Sequence, residues 1–374
     1  MKKRIFGVHE SDYVNEWLGP LEGKVTVMLF RKGKRMSIKS YTSYSDAHVR
    51  KIIIPFPLRG RKITEVGPAD HLVYTFTLFL LLPLLLLQDL IIFMTPTFFT
   101  ALTMPFLKLF GKKVYVVCVD PQTALYHTYQ KRKSPLIGLY WMFSRYLEIM
   151  AVRTADSVFV VSEHLKKEYS RYNENVFLAM NGADLASIEK IKPKRMWKEF
   201  TIAYFGSFDP WRGVDMLVKA FKKVEKKRKS RLLLLGGGSQ EASIRGLAGN
   251  DKNIHITGYI NHDKAIEYLK GSDLTVVPFR DDPILKETLS IKPFEYMACG
   301  NPILITNTGQ HADVVKSFGS GILVEPNEHD MADAIVKIID DKKLYKKLKE
   351  NSMKARKEVD FRKTRQAFYK KVSV

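Results

Sequence analysis

The sequence has few cysteines and no tract of low complexity. Its two cysteines, Cys118 and Cys299, both lie in apolar contexts, which excludes a disulfide framework and offers no cysteine-based zinc site. We therefore expect a folded protein of a reducing compartment, the cytoplasm. The basic start Met1–Arg4 is not followed by a long apolar segment, so no signal peptide is predicted.

Acidic residues are scarce relative to basic ones. The chain carries 39 Asp and Glu against 61 Lys and Arg, a formal net charge of +22. Such an excess attracts a nucleic acid, an anionic lipid surface or a phosphorylated substrate, although a lysine-rich solvated surface is the alternative explanation. Because no nucleic-acid-binding motif accompanies the lysines, we expect no nucleic-acid partner.

Long apolar segments are also few. The first spans His71 to Leu87 with Pro83 inside it, and it only just reaches the roughly 20 residues that cross a bilayer. Three interpretations remain open: a helix buried against a sheet, a helix partly sunk in a membrane face, and a transmembrane helix. The second spans 97–110, is rich in aromatic residues and is followed by lysines. It suits either a membrane surface or a core helix with a solvated end.

The chain is long enough for two domains, because 374 residues exceed one ordinary core. Apolar strand-like runs alternate with helical patterns in both halves, which predicts α/β architecture with parallel sheets. We place an N-terminal domain at 1–190, a charged linker at 188–199 and a C-terminal domain at 199–355. A last helix within 356–374 is expected to pack back on the first domain. Ligands of such sheets bind beyond the carboxyl ends of the strands.

Glycine-rich loops follow two of the predicted strands in the second half. The first loop runs from Gly206 to Gly213 and contains Arg212, and the second is Gly236–Gly238. Glycines allow a ligand to approach the backbone closely, and an arginine offers a permanent cation for a phosphate. Each loop alone is a weak signal, since glycine turns after strands are common.

The segment Lys286–Pro302 follows another buried strand and continues into a short helix. Glu287 and Glu295 bracket the start of that helix, with Ser290 and Lys292 between them. A helix start presents N–H groups that favour phosphate. The spacing of the two glutamates carries little weight alone, because two other glutamates with the same separation lie in a plain amphipathic helix. Their placement after a buried strand makes the segment a candidate donor-binding element.

These loops resemble the C-terminal half of retaining glycosyltransferases of family 4, the group 1 glycosyltransferases, which have the GT-B fold. The resemblance covers roughly residues 155–340 and is faint before 110. The matching residues are Gly206, Arg212 with Gly213, Gly236–Gly238, Thr257–Tyr259, Ser272 with Asp273, Glu287 with Glu295, Lys292–Pro302, Ala155–Ser157, Val161–Glu163 and Asn181–Asp184. The expected fold is therefore two Rossmann-like doubly wound domains facing each other across a cleft.

The resemblance implies a nucleoside diphosphate sugar as the donor. Glu295 would bind the ribose hydroxyls, Glu287 the donor sugar, and the loop at Tyr259 and Ile260 would lie against the base. The backbone N–H groups of Leu289 and Ser290 would receive the diphosphate. The full set of implied donor-binding residues is Gly206, Ser207, Arg212, Gly213, Gly237, Tyr259, Ile260, Glu287, Leu289, Ser290, Lys292 and Glu295. The implied catalytic residues are Glu287, Asp120 and Arg212.

The sequence departs from the family pattern at three positions. Ser207 stands where the family commonly has an arginine, and Arg212 stands where it usually has a lysine. Asp120 replaces the usual histidine after a first-domain strand, and we assign it to the acceptor or the reacting sugar, with His127 as a less favoured substitute. Because that histidine is absent, a catalytically silent GT-B binding subunit is the alternative function.

The implied reaction is retaining transfer of a hexose-type sugar to a glycan or lipid-linked acceptor, as in polysaccharide or glycolipid biosynthesis. The resemblance implies no metal and no cofactor beyond the co-substrate, because Arg212 and Lys292 would stabilise the departing diphosphate. Asp281 and Asp282 are accordingly taken as a surface pair. The apolar runs and the net charge favour a protein peripheral to an anionic membrane, on its cytoplasmic face.

Overall fold

The structure is a computed structural model, and it divides the chain into two compact units. The first unit comprises residues 1–180 and 365–374, and the second comprises residues 181–364. The residues described are 4–9, 17, 24–32, 37–42, 48–56, 76, 79–94, 100–119, 135–283, 285 and 288–373. Three residues with predicted roles, Asp120, His127 and Glu287, lie outside this set.

The first unit contains an eight-stranded sheet. Its strands are β1 (Arg4–His9), β2 (Lys24–Lys32), β3 (Ser37–Thr42), β4 (His48–Phe56), β5 (Leu90–Met94), β6 (Lys113–Cys118), β7 (Ser157–Val160) and β8 (Val176–Leu178). They lie in the order β3-β4-β2-β1-β5-β6-β7-β8. Among these described strands, only β3 and β4 pair in the antiparallel direction. The strand order reverses between β1 and β5, which is the switch point where ligands of such sheets bind.

Helices α1 (Leu82–Leu86), α2 (Thr100–Leu109), α3 (Pro135–Thr154) and α4 (Glu163–Tyr169) also belong to this unit. All five residues of β5 are buried, as expected for a parallel strand covered on both faces. Helix α2 buries Met104 and Leu107, and α3 buries Leu147 and Ala151. Helices α2 and α3 pack against each other. They lie on one face of the sheet, because successive right-handed crossovers in one direction place their helices on the same side.

A buried polar cluster anchors α3 to the end of β6. Arg145 pairs with Glu148 and with Glu168. The Tyr169 hydroxyl donates to Glu148 Oε1 at 2.6 Å and lies 3.4 Å from Cys118 Sγ. The burial of Tyr169 raises the pKa of its hydroxyl well above the usual value. The inner side of α3 is therefore held by charge and hydrogen bonds as well as by apolar packing.

The second unit is built on a six-stranded, fully parallel sheet. Its strands are β9 (Phe200–Phe205), β10 (Ser230–Leu235), β11 (Ile254–Ile256), β12 (Leu274–Val277), β13 (Ile303–Thr306) and β14 (Gly321–Val324). The order β11-β10-β9-β12-β13-β14 is that of a dinucleotide-binding Rossmann sheet, with its switch point between β9 and β12. The alternation predicted from the sequence for this half is confirmed.

The helices of the second unit follow the strands and cover both sheet faces. They are α5 (Leu185–Lys190), α6 (Val214–Val224), α7 (Glu241–Ala248), α8 (His262–Lys270), α9 (Lys292–Ala298), α10 (Gly309–Phe318), α11 (Glu328–Asp340), α12 (Lys342–Ala355) and α13 (Phe361–Thr364). Helix α6 buries Val214, Leu217 and Phe221 completely. Asn327 caps α11 by accepting hydrogen bonds from two backbone N–H groups, which satisfies donors that a helix start leaves open.

The first unit ends at Met180, before the predicted boundary at 190. The residues that follow bond within the second unit. The Asn181 side-chain amide donates to the Leu289 carbonyl, and Asp184 pairs with Arg362 at 3.4 Å. These bonds tie the residues just before the predicted linker to the second unit.

The chain returns to the first unit at its last helix, α14 (Gln366–Ser373). The Phe368 ring packs edge-to-face on Phe159, with centroids 5.0 Å apart, and on Trp17 at 5.1 Å. The Tyr115 hydroxyl donates to the Lys371 carbonyl at 3.4 Å. Residues 356–364, which the sequence grouped with this helix, belong to the second unit.

The long apolar run before β5 forms only one short described helix, α1. Within it Leu85 is buried, whereas Leu80 and Leu87, just outside it, are exposed. No helix among the described residues is long and apolar enough to cross a membrane. The remainder of the run, 71–75 and 77–78, lies outside the described residues.

Candidate functional site

The loops at the carboxyl edge of the second sheet are joined to one another by backbone hydrogen bonds. The Phe208 N–H, after β9, donates to the Gly237 carbonyl, after β10, at 2.9 Å, and the Gln240 N–H donates back to Phe208 at 2.9 Å. A β-bridge joins Gly236 to Gly258, after β11. These bonds fix the backbone of three successive loops before any ligand is present.

Gly206, the first residue after β9, lies directly against the side chain of Lys292. Its φ of 146° is a conformation that residues with a side chain rarely adopt. A Cβ added there would lie 2.4 Å from Lys292 Cε and 2.6 Å from Nζ. Glycine at this position therefore makes room for the ammonium group at the end of β9.

Lys292 is a buried cation beside a second cation. Burial, and then the positive charge of Arg212, lower the pKa of Lys292 to about 7, while Glu295 and Asp209 act in the opposite direction. A buried ammonium that its neighbours do not fully neutralise is stabilised by an incoming anion. The pair Arg212 and Lys292 thus forms a site of positive potential at the carboxyl edge.

Arg212 lies against two aromatic rings. It ends a 3-10 turn, Pro210–Arg212, and its guanidinium carbon lies 3.6 Å from the Trp211 ring centroid and 5.1 Å from that of Phe279. Stacking of this kind holds a guanidinium plane in one orientation. Gly213 follows at φ 65°, where a Cβ would lie 1.9 Å from the Pro278 carbonyl oxygen. The turn that presents Arg212 is therefore fixed against the end of β12.

Glu295, on α9, bonds to a histidine from α8. The distance from His262 Nε2 to Glu295 Oε1 is 2.6 Å, and Glu295 is only 6% exposed. His262 begins α8 directly after its capping residue Asn261. The hydrogen bond to Glu295 raises the pKa of His262 to about 9, against the opposing effect of burial. The imidazole is therefore protonated at neutral pH and holds Glu295 in place.

A second histidine occupies the backbone donor of Ser290. His311 is fully buried, and its Nε2 accepts the Ser290 N–H at 2.7 Å. Burial, and then the charges of Arg212 and Lys292, lower the pKa of His311 to about 3, so the ring is neutral. The N–H that the resemblance assigns to the diphosphate therefore donates to a protein group here, and diphosphate binding there would require an exchange of partners.

Leu289 and Ser207 meet the site through their backbone. Leu289 is buried, and its carbonyl accepts the Asn181 amide. The Ser207 carbonyl accepts the Tyr204 hydroxyl at 2.8 Å. Leu289 and Ser207 take part in these bonds only through their backbone carbonyls. The Ser207 side chain carries no charge, so it cannot supply the cation that the resemblance would place there.

Tyr259 and Gly237 lie together at the edge of the site. Tyr259 is 75% exposed, and a Cβ added to Gly237 would lie 3.0 Å from its ring and 2.4 Å from Glu241 Oε2. Ile260, the next residue, is partly buried. An exposed ring beside a bare backbone offers a flat apolar surface.

The structure thus brings Gly206, Arg212, Lys292 and Glu295 to one sheet edge. It does not describe Asp120 or Glu287, whose roles stay predictions. Sequence reasoning missed the histidine partners of this site, His262 and His311, and also Asp209. All three lie in loops or helix starts that follow strands, which is the signal that would have found them. Among the described residues, no group of three or more His, Cys, Asp or Glu could hold a metal ion.

Comparison with known proteins agrees with this geometry. Residues 187–355 match the sequence profile of the family described as Glycosyl transferases group 1. The C-terminal half of this chain thus resembles the group 1 glycosyltransferases. The protein is 26% identical over 280 residues to an uncharacterized glycosyltransferase of Methanocaldococcus jannaschii, a match that covers 71% of this chain and 70% of that protein. Across the first three such relatives of that organism, this glycosyltransferase spans 50–70% of their length.

Two further proteins extend the comparison. This glycosyltransferase is 28% identical over 137 residues to a GDP-mannose-dependent monoacylated alpha-(1-6)-phosphatidylinositol monomannoside mannosyltransferase of Corynebacterium glutamicum, covering 35% of this chain and 36% of that protein. Its fold matches sucrose-phosphate synthase from Thermosynechococcus elongatus with a TM-score of 0.72, at 16% identity and 99% coverage of both chains. The predicted GT-B fold, with two Rossmann-like domains, is confirmed.

Proposed function

We propose that this glycosyltransferase transfers a hexose-type sugar from a nucleoside diphosphate sugar, with retention at the anomeric carbon, to a glycan or lipid-linked acceptor. The observation that carries the proposal is the placement of Lys292 and Arg212 beside Glu295 at the carboxyl edge of the second sheet. The two cations suit the negatively charged diphosphate, and the carboxylate suits the ribose hydroxyls, of a nucleoside diphosphate bound at the switch point.

The two cations have the chemistry that the departing diphosphate requires. Negative charge develops on the leaving group as the glycosidic bond to it breaks, and fixed cations stabilise that charge without reorganising. Arg212 is held by stacking on Trp211 at 3.6 Å, and Lys292 is buried against Gly206. A metal ion is not required for this role, because the two side chains supply the positive charge.

Two protein residues suit the nucleoside part of the donor: the Glu295 carboxylate for the ribose hydroxyls and the Tyr259 ring for the base. Glu295 accepts hydrogen bonds from the ribose hydroxyls while His262 fixes its orientation through the 2.6 Å bond. Tyr259, exposed beside Gly237, lies against the base. Glu287 and Asp120 keep the roles that the resemblance implies, the first on the donor sugar and the second at the acceptor.

The acceptor proposal rests on charge and on a relative. The net charge is +22, and the mannosyltransferase of Corynebacterium glutamicum acts, by its name, on a phosphatidylinositol mannoside. An acceptor with a lipid anchor requires the enzyme to work at a membrane surface. We therefore place the protein in the cytoplasm, peripheral to the membrane.

The proposal is tested by donor binding and by transfer. Thermal shifts with UDP-, GDP- and ADP-sugars should reveal one preferred nucleotide, and Glu295→Ala should abolish the shift. Glu350→Ala is the matched control, because Glu350 lies on the exposed side of α12 and should leave the shift unchanged. The anomeric configuration of the product, read by NMR, decides retention, and an inverted product contradicts it.

The second candidate function is a catalytically silent binding subunit. It is favoured by one observation, the absence of the family histidine at Val119–Asp120. Such a subunit would bind the nucleotide sugar but neither hydrolyse nor transfer it. The protein is incubated with acceptor extracts and a donor that gives a thermal shift. If no nucleoside diphosphate is released with any extract, the result supports this alternative.

A further inference from the structure

Helices α2 and α3 carry apolar side chains on their outer faces as well as on their inner ones. On α2 the exposed residues are Leu102, Phe106 and Leu109, at spacings of four and three, with Phe110 just after the helix. On α3 they are Leu139, Met142, Phe143 and Tyr146. Leu109 is 80% exposed and Met142 is 66% exposed. Each helix therefore has an apolar stripe that no part of the described structure covers.

The stripes belong to one side of the first unit. Helices α2 and α3 pack against each other and lie on the same sheet face. Phe79, from the segment before α1, joins them through an edge-to-face contact with Phe106 at 5.5 Å. Phe143 and Tyr146 stack with centroids 6.3 Å apart. A surface with this many large apolar side chains exceeds what an isolated soluble face displays, and it indicates an interaction site. We call it the α2–α3 face.

Positive charges predominate around the α2–α3 face, although the one cation of α2, Lys108, is paired with Asp156. Helix α2 contains no acidic residue, and the one carboxylate of α3, Glu148, is buried in its pair with Arg145. Lys112 and Lys113 follow α2 and, with Asp89 as the one acidic residue, line a cavity of about 330 Å³ next to the exposed Leu87. Three further basic residues, Lys131 to Lys133, precede α3 in the sequence. The apolar stripes of α2 and α3 are thus bordered mainly by basic residues.

The basic excess is also concentrated in this unit. The first unit holds 28 Lys and Arg against 14 Asp and Glu, whereas the second holds 33 against 25. The net charges are therefore +14 and +8 for units of nearly equal length. A second copy of the chain would bring two basic faces together, which is unfavourable. An anionic lipid surface offers both the apolar interior and the opposite charge.

We propose that the α2–α3 face docks on an anionic lipid bilayer, with the apolar stripes in the acyl boundary and the flanking lysines at the headgroups. This inference deepens the proposed function, on which it rests for the lipid-linked acceptor, and it assigns the contact to named residues.

The test is co-sedimentation of the full chain with phosphatidylcholine vesicles, with and without phosphatidylglycerol. We expect binding to the anionic vesicles, and a partition coefficient that falls at least roughly tenfold in the double variant Leu109→Ser with Met142→Ser. Met353→Ser is the control, because Met353 is an exposed apolar residue of the second unit, 49% exposed. It should bind like the wild type.

The lysines are tested separately. Replacing Lys112 and Lys113 by Gln should weaken binding to anionic vesicles by roughly fivefold per residue and leave neutral vesicles unaffected. Thermal unfolding and donor binding are measured on every variant, so a folding defect or a failed donor proposal is distinguished from lost docking. Binding to neither vesicle overturns the proposal. So does a dimer in sedimentation velocity that the double variant dissociates while lipid binding persists.

Discussion

Helix α6 of the second unit and helix α3 of the first carry the same kind of apolar repeat. Helix α6 buries its repeat, whereas α3 leaves part of its repeat exposed. In the second unit α6 buries Val214, Leu217 and Phe221 completely. In the first unit α3 leaves Met142 and Phe143 largely in contact with solvent. A repeat at helical spacing therefore shows that a helix has an apolar face, while the neighbours in three dimensions decide what covers it.

The cations of the two units differ in the same way. In the second unit Lys292 is buried beside Arg212, where a diphosphate would complete the charge balance. In the first unit Lys112 and Lys113 lie at the surface, beside exposed apolar residues. The second unit is thus organised to bind a small anion deeply, and the first to meet an extended anionic surface.

The largest expected effect is a difference in the free energy of unfolding between a variant of α6 and a variant of α3. Phe221→Ala should lower the free energy of unfolding by about 3–5 kcal/mol, because it leaves a cavity under α6. Phe143→Ala removes an exposed ring and should cost less than about 1 kcal/mol. Urea unfolding followed by circular dichroism measures both. Equal losses would mean that the outer face of α3 is packed, which contradicts the comparison.

The next effect is a difference in donor affinity between a variant of the buried Lys292 and a variant of the surface residue Lys112. Lys292→Met should weaken binding of the preferred nucleotide sugar by about 10- to 100-fold, the range expected for a lost charged hydrogen bond. Lys112→Met, in the first unit, should leave the dissociation constant unchanged. Isothermal titration calorimetry gives both values.

The pH dependence of donor binding sharpens the same prediction. The pKa of Lys292 is about 7, and a bound diphosphate favours the protonated form and so raises that pKa. Affinity should therefore be highest below about pH 7 and should fall as pH rises above it, with proton uptake on binding. Titrations in buffers of different ionisation enthalpy detect that uptake. Uptake of the same size in Lys292→Met would assign the proton to another group.

A smaller effect compares two glycines with positive φ. Gly206→Ala combines backbone strain at φ 146° with a clash against Lys292, and it should cost about 1–3 kcal/mol of stability together with donor affinity. Gly111 in the first unit has φ 68° and open space around it, so Gly111→Ala should cost only about 1 kcal/mol and no donor affinity. If Gly206→Ala binds the donor normally, the contact with Lys292 does not matter for binding.

The smallest expected effect is the change with pH in the stability lost when one ion pair of each unit is broken. The pKa of His262 is raised from 6.5 to about 9, so its pairing with Glu295 contributes stability that is complete below about pH 6.5 and is lost as pH rises through about 9. The deficit of His262→Gln should shrink over that interval. The Arg145 guanidinium, which pairs with the buried Glu148, stays charged throughout, because a guanidinium does not deprotonate. Arg145→Gln should therefore show a deficit that does not change over the interval. Denaturation midpoints at a series of pH values test both.

The second unit could be predicted from the sequence in detail. The strand predicted at 200–205 is the observed β9, and the strand predicted at 273–277 differs from β12 by one residue. Parallel strands covered on both faces are continuous apolar runs, so they stand out from their surroundings. The loops that follow them then meet at one edge because the topology requires it.

What the sequence could not supply were pairings between distant residues. His262 and Glu295 lie on different helices. His311 lies on α10 and Ser290 in the loop before α9, and no local spacing connects either pair. The apolar repeat of α3 was readable, but its exposure depends on which elements pack over it. The boundary at Met180 was hidden for the same reason, since the Asn181 bond to Leu289 spans more than a hundred residues.

Helix α14 has a consequence for how the protein is made. The ring of Phe368 packs on Phe159 and Trp17, so the first unit needs residues from both ends of the chain, whereas the second is one continuous stretch. During synthesis on the ribosome, the second unit can therefore complete its fold before the first one does. Until residues 366–373 emerge, the nascent chain exposes the surface that Phe368 will cover. A chaperone that binds apolar segments would find its target there, in the half that is translated earliest.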